Sequence, residues 1–186
     1  FNLYPFQENV LRDFTTHRFN IILKSRQLGI STLCAAYALW KMIFQKDFNV
    51  LVIATTQETA KNLVTKVQVM YDGLPSWLKQ GIKHDENNKL SLRLSNGSQI
   101  RAVSSNENSA RSSAVSLLIL DEFAFVNNDN EIFTAAQQTI ATGGDMIILS
   151  TPNGTGNRFY KLWQEAEEEG KMNTISLKWD LHPERD

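Results

Sequence analysis

Residues 21–33 of the 186-residue chain read "IILKSRQLGISTL". An apolar run ends in a polar turn containing Gly29, and Ser31 and Thr32 then open a helical pattern. Strand, loop and helix N-terminus in that order aim backbone N–H groups and the positive end of a helix dipole at an anion. Gly29 lets the backbone come close to it. The usual pattern is G-x-x-x-x-G-K-[ST]. Laid on Gly29, it asks for glycine at position 24 and lysine at position 30, where the sequence has Lys24 and Ile30. A loop that wraps an anion brings its two ends together. Lys24, at the loop's entrance on a flexible stem, can therefore serve the same site. The plain alternative is a strand-end lysine in water. Arg26 adds a guanidinium whose fork suits phosphate oxygens. Ser25, Gln27, Leu28 and Ile30 complete the loop, Ser31 takes the hydroxyl position that ligates Mg²⁺, and Thr32 is its near substitute.

About 90 residues later, "SLLILDE" (116–122) is an apolar strand ending in two acids, the Walker B arrangement. Asp121 would hold Mg²⁺ and Glu122 would orient and deprotonate an attacking water. Such a pair also ends many ordinary strands in a solvated turn. Upstream, Arg111 lies in the polar stretch "NENSARSSAV". A third segment, Ser150-Thr151-Pro152, follows the apolar run "DMIIL".

The elements that must position these residues are legible as alternating patterns. Apolar runs at 19–24, 49–55, 116–122 and 145–151 read as buried strands. Helical periodicity covers a stretch opened by Pro5, residues 31–45, a helix from a Thr55–Glu58 capping box to about Tyr71, a helix ending near Gly143-Gly144, and 158–170. "LPSWLKQGI" reads as a helical turn, and "NTISLKW" as a last strand. Period-two alternation around Asn96-Gly97 marks a β-hairpin, since both residues accept positive φ. Strands alternating with helices predict an α/β fold with a mainly parallel sheet flanked by helices on both faces and a hairpin insertion. Ligands in such sheets sit at the carboxyl ends of the strands. Lys24–Ser31, Thr55, Asp121-Glu122 and Ser150–Pro152 all fall there.

Other polar and aromatic residues suggest less chemistry. His17, His84 and His182 have no ligand spacing. Cys34, Trp40, Phe44, Trp77 and Trp163 are assigned to packing, and Glu165–Glu169 to a solvated helix face. Lys61, Lys66, Lys79, Lys83, Lys89, Arg93 and Arg101 make the middle third basic, facing either DNA or water.

Composition bounds the class. A 42% hydrophobic content suits one compact domain spanning 1–186. Net charge is −1 and the pI about 6.4, so any nucleic-acid contact must come from a local patch. One cysteine excludes a disulfide framework and fits a reducing compartment. No apolar run approaches a membrane span, and no signal peptide is visible. A start at Phe1 fits a segment of a longer protein.

The segments "LKSRQLGIST", "LLILDEFAF" and "STPNGTGNRFYKLW", in this order and spacing, resemble the ATPase domain of the large terminase subunit of tailed bacteriophages, over nearly the whole chain. The resemblance implies a RecA-like ASCE P-loop ATPase that uses ATP and Mg²⁺ to drive double-stranded DNA into a procapsid. It implies that Gln7 of "YPFQ" reads adenine with Tyr4 packed near the base. It implies that Ser150, Thr151 and Pro152 couple hydrolysis to movement. Some members of the family carry the loop lysine late and others at the front, where Lys24 stands. An arginine near Arg111 is, in this family, a candidate finger for a neighbouring subunit's site, against the reading of a solvated loop residue. The implied partners are DNA, the portal protein and the small terminase subunit. A homo-oligomeric ring would form on the procapsid in the host cytoplasm, with a monomer in isolation. The family's nuclease domain is not expected in this stretch, which ends in a linker-like "DLHPERD", so no DNA cleavage is expected of it. A helicase-like nucleic-acid-dependent ATPase would carry a second RecA-like domain. A degenerate nucleotide-binding assembly module would have no use for Glu122.

Overall fold

The computed structural model describes residues 2–79, 81–105, 114–141 and 143–183. In chain order the elements are α1 (Pro5–Thr16), β1 (Phe19–Lys24), α2 (Ile30–Phe44), β2 (Asn49–Ala54), α3 (Gln57–Asp72), β3 (His84–Asn88), β4 (Ser91–Leu94), β5 (Gln99–Ser104), β6 (Leu117–Asp121), α4 (Asp129–Ile140), β7 (Asp145–Ser150), α5 (Arg158–Glu169) and β8 (Asn173–Leu177). Short 3-10 turns cover Phe123–Phe125 and Trp179–Leu181.

All strands join one sheet in the order β3-β4-β5-β2-β6-β7-β1-β8. From β5 to β8 every pairing is parallel. β3 and β4 are added antiparallel at the β5 edge. All five residues of β6 are buried, with no alternation, because helices cover both faces of the sheet. α1, α2 and α3 pack Val10, Leu33, Ala38, Leu63 and Val67 against one face. α4 and α5 pack Phe133, Ala136, Phe159 and Leu162 against the other. The expected parallel α/β sheet with a hairpin insertion is therefore present.

Register brings the chemistry to one edge. β6, β7 and β1 are consecutive neighbours, with Asp121 paired to Leu149 and Leu23 to Ser150. The ends of these strands thus stand level, and Lys24, Asp121 and Ser150 close them.

Several local expectations change. The cap of α3 is Thr56, whose hydroxyl accepts from Thr59 N–H at 3.1 Å, rather than a Thr55–Glu58 box. β3, "HDENN", has no apolar alternation and was not expected as a strand; it pairs on one side only, at the sheet's edge. Trp40, Phe44 and Trp77 are not core residues: they are 46%, 62% and 72% exposed. Trp163 does pack against the second core, and Cys34 is fully buried. Glu165 is not simply solvated, since it takes a two-point contact from Arg158 at 2.9 and 3.2 Å. No helix among the described residues is long and apolar enough to cross a membrane.

The Asn96-Gly97 turn joins β4 to β5 as expected, but only Gly97 takes positive φ, at 86°. Asn96 has another task. Its amide donates to the carbonyls of Met42 and Gln45 at 2.7 and 3.2 Å, satisfying acceptors that the end of α2 leaves open. A Cβ at Gly97 would meet Asp47 Oδ1 at 2.0 Å. Gly97→Ala is therefore expected to cost about 1–3 kcal/mol through backbone strain and this clash. Chemical denaturation of the two proteins measures it, and an unchanged midpoint would refute the account.

Candidate functional site

The loop between β1 and α2 follows from its sequence. Leu28 and Ile30 are each 2% exposed and pin the loop into the first core. Between them Gly29 adopts φ 73°, the left-handed conformation, and serves as the N-cap of α2 without a capping side chain. The N-cap therefore supplies no side-chain oxygen to the first N–H groups of α2, which favours their receiving an anion. Gln7 sets the loop's height. It is buried on α1, and its Nε2 donates to Leu28 O at 3.0 Å while its Oε1 accepts from Tyr4 N–H at 3.2 Å. A Cβ on Gly29 would meet that same Nε2 at 2.8 Å on a left-handed backbone, so any other residue there would be strained and would have to displace the Gln7 amide.

A cavity of about 490 Å³ opens over the loop. Lys24, Ser25, Arg26, Gln27, Leu28, Gly29, Ile30, Ser31 and Thr32 line it, with Glu122 and Lys66. All the loop residues expected at a phosphate thus share one wall. Ile30, at the usual lysine position, presents only backbone there, since its side chain lies in the core.

Lys24 is 7% exposed, and its Nζ donates to Glu122 Oε1 at 2.6 Å. Glu122 sits at φ 51°, ψ 42°, a left-handed conformation rare for a residue with a side chain. That kink turns the chain out of β6 into the 3-10 turn. The other carboxylate oxygen, Oε2, accepts from Thr151 N–H and from Thr151 Oγ1, both at 3.2 Å. Burial pushes the Glu122 carboxyl up, but the Lys24 hydrogen bond and charge, with both Thr151 donors, outweigh it and hold it below the ordinary value. Asp121 behaves oppositely. It is 5% exposed, and desolvation pushes its carboxyl up despite Lys24; Ser31 Oγ donates to it at 3.4 Å. Two adjacent acids are thus driven apart, one kept ionised and one short of counter-charge.

The third segment joins the same network. Ser150 Oγ accepts from Ala124 N–H at 3.1 Å and donates to Thr151 O at 2.8 Å. Asn153 Nδ2 donates to Ala124 O at 2.9 Å. The end of β7 is therefore stitched to the residues following Glu122, with Pro152 exposed beside them.

Other expected residues lie elsewhere. Neither Gln7 nor Tyr4 lines the loop cavity; Tyr4 stacks on Phe6 and tilts against His182, with ring centroids 5.8 and 4.9 Å away. Thr55 follows β2 at the same sheet edge but makes no part of the cavity wall. Arg111 lies outside the described residues. Lys66 was expected only as one of a basic group facing DNA or water. α3 carries it to the cavity instead, which no loop motif could signal.

A family model for the N-terminal part of the T4-like-virus type of terminase large subunit matches residues 21–182. Among solved structures, the ATPase domain of the large terminase of Thermus phage P74-26 superposes with a TM-score of 0.85 at 20% identity, covering 100% of this chain and 85% of that one. The large terminase of a thermophilic bacteriophage, solved in complex with ATP-gamma-S, gives 0.75 at 13% identity, covering 98% and 46%. The HK97 bacteriophage large terminase gives 0.77 at 17% identity, covering 100% and 41%. This chain therefore spans less than half of the latter two. Identities this low establish a shared fold, that of the RecA-like terminase ATPase domains. With the family match over most of its length, the chain belongs to the terminase large subunit family, in its N-terminal portion.

Proposed function

We propose that this chain hydrolyses ATP with Mg²⁺ and works as the motor domain of a terminase that drives double-stranded DNA into a viral procapsid. The observation that carries the reading is the meeting, over one cavity, of an open helix N-terminus, the Lys24 ammonium and the Glu122 carboxylate. The family supports the choice of ATP and of DNA.

In this reading the backbone of residues 28–31 receives the phosphates, and Arg26 adds a fork from within the loop. Lys24 moves its ammonium from Glu122 to the phosphate end. Glu122 Oε1, so released, takes the proton of the attacking water, while Thr151 holds Oε2 in place. The ordinarily low proton affinity of the Lys24-bound carboxylate would rise at that moment, because its counter-charge leaves. Asp121 and Ser31 fit Mg²⁺: both offer oxygen, and a buried, under-compensated carboxylate is what a hard cation relieves. The ion would neutralise charge on the phosphates. Adenine falls to the Gln7–Tyr4 side. Arg111 serves a neighbouring subunit of a ring, and the Ser150–Thr151–Pro152 segment carries the change at Glu122 into β7. Portal protein and small subunit complete the assembly in the host cytoplasm.

Purified protein assayed for phosphate release tests this. Lys24→Ala is expected to lower kcat by about 10²–10³-fold. Ile30→Val should keep kcat within about twofold and lose only about 0.5–1.5 kcal/mol of stability, as a trimmed core residue. Wild-type-like turnover in Lys24→Ala would sink the assignment of the cation. Glu122→Gln should bind ATP yet turn over about 10²–10⁴-fold more slowly, and unchanged turnover would remove Glu122 as the base. Asp121→Asn should abolish Mg²⁺-dependent turnover while raising the melting temperature in metal-free buffer near pH 7.5. The sign follows because a carboxyl raised in the folded state costs stability once pH exceeds its unfolded value. A lower melting temperature would contradict the buried, under-compensated charge.

A further inference from the structure

The loop cavity has two cations that the loop itself supplies, Lys24 and Arg26, and one that it does not. Lys66 is on α3, and it is the one described residue lining the cavity from outside residues 24–32 and Glu122. Its place follows from the helix. α3 buries Ala60, Leu63, Val64 and Val67 in the first core. At about 100° per residue, Lys66 then falls on the flank beside that stripe, and Lys61 on the opposite flank. Gln68, on the Lys61 side, donates to Asn88 O at 2.6 Å, so that flank faces the β3–β4 strands. The Lys66 flank faces α2 and the cavity. Lys66 is half-buried and lines the cavity, and a lysine so placed has a stem long enough to bring its ammonium to a ligand there.

The charge count makes a role for it. Lys24 is held by Glu122 at 2.6 Å, and Ile30 puts a core side chain where a phosphate loop usually carries its lysine. Lys66 makes no ion pair among the described residues. A polyphosphate entering the cavity would meet one ammonium committed to the carboxylate, the loop's own Arg26, and a lysine outside the loop that no described carboxylate holds.

We propose that Lys66 is a phosphate-binding residue of this site, closing on the polyphosphate from α3 opposite Lys24. This rests on the ATP reading above. It assigns the two lysines different duties. Lys66 retains the nucleotide, and Lys24 answers to its terminal phosphate and to Glu122.

The test is nucleotide affinity, measured by fluorescent-nucleotide displacement with ATP and ADP on the chain as it stands. Lys66→Met should weaken binding of both by about tenfold or more, the effect of losing one hydrogen bond to a charged group. Lys66→Arg should restore affinity to within about threefold. Lys61→Met, on the other flank, should match the wild type. The nucleotide-free melting temperature of Lys66→Met should stay within a few degrees of wild type. If that variant melts early, Lys66→Gln carries the same comparison. Wild-type affinity in a folded Lys66→Met or Lys66→Gln protein would overturn the proposal while leaving the ATP reading intact. An arginine variant as weak as the methionine one would overturn it too. No ATP binding by the wild type would overturn the ATP reading, and this proposal with it.

Discussion

The Lys24–Glu122 pair is the constraint on which the rest of the site depends. Two charged groups are taken largely out of water, and such a pair survives only when its geometry and its remaining hydrogen bonds are good. The fold meets that condition with three neighbouring strands. β1 delivers the ammonium, β6 delivers the carboxylate through a left-handed backbone kink, and β7 delivers Thr151, which fills the second oxygen twice. Strand order and register are therefore chemical statements. A shift of one residue in the β1–β7 or β6–β7 register would move each of these groups to the wrong face of the sheet.

The same pair explains how two adjacent acids acquire different characters. Glu122 faces donors that outweigh its burial, while at Asp121 burial outweighs the Lys24 charge, the distant Ser31 hydroxyl and the Glu122 backbone N–H. A site that separates its carboxylates in this way stores the means to treat them differently, and the proposed hydrolysis would use one as a proton acceptor and the other as a seat for a cation. The raised carboxyl is a local cost that the two apolar cores offset, as functional sites commonly require.

Much of this was legible from the residues because strong local signals and global topology agreed. Continuous apolar runs ending in polar residues announced parallel strands with their chemistry at one edge, and Asn-Gly announced the hairpin. The loop from Lys24 to Thr32 was readable as one wall of a site because a strand, a glycine turn and a helix N-terminus in that order form one. What escaped was set by tertiary contact. Lys66 belongs to no motif, and it reaches the cavity only because α3 packs on α2. β3 has no pattern of its own and is a strand by virtue of an edge to pair with. Trp40, Phe44 and Trp77 carry large apolar surfaces that periodicity alone assigns to a core, yet they face outward. Gln7 was expected at a base, and what the structure gives it is the loop's carbonyl to hold.

The burial of Ile30 has a consequence for how such loops can change over time. Its side chain is part of the first core, so a lysine at that position would need either a different floor beneath the loop or a different path for its stem. Front-lysine and late-lysine loops are thus not neighbours separated by one codon. A change from one to the other would disturb the packing under Leu28 and Ile30 and would leave Glu122 Oε1 in need of another partner. The intermediate sequences would bury a charge or leave a hole. Lysine position is thereby tied to what lies underneath the loop.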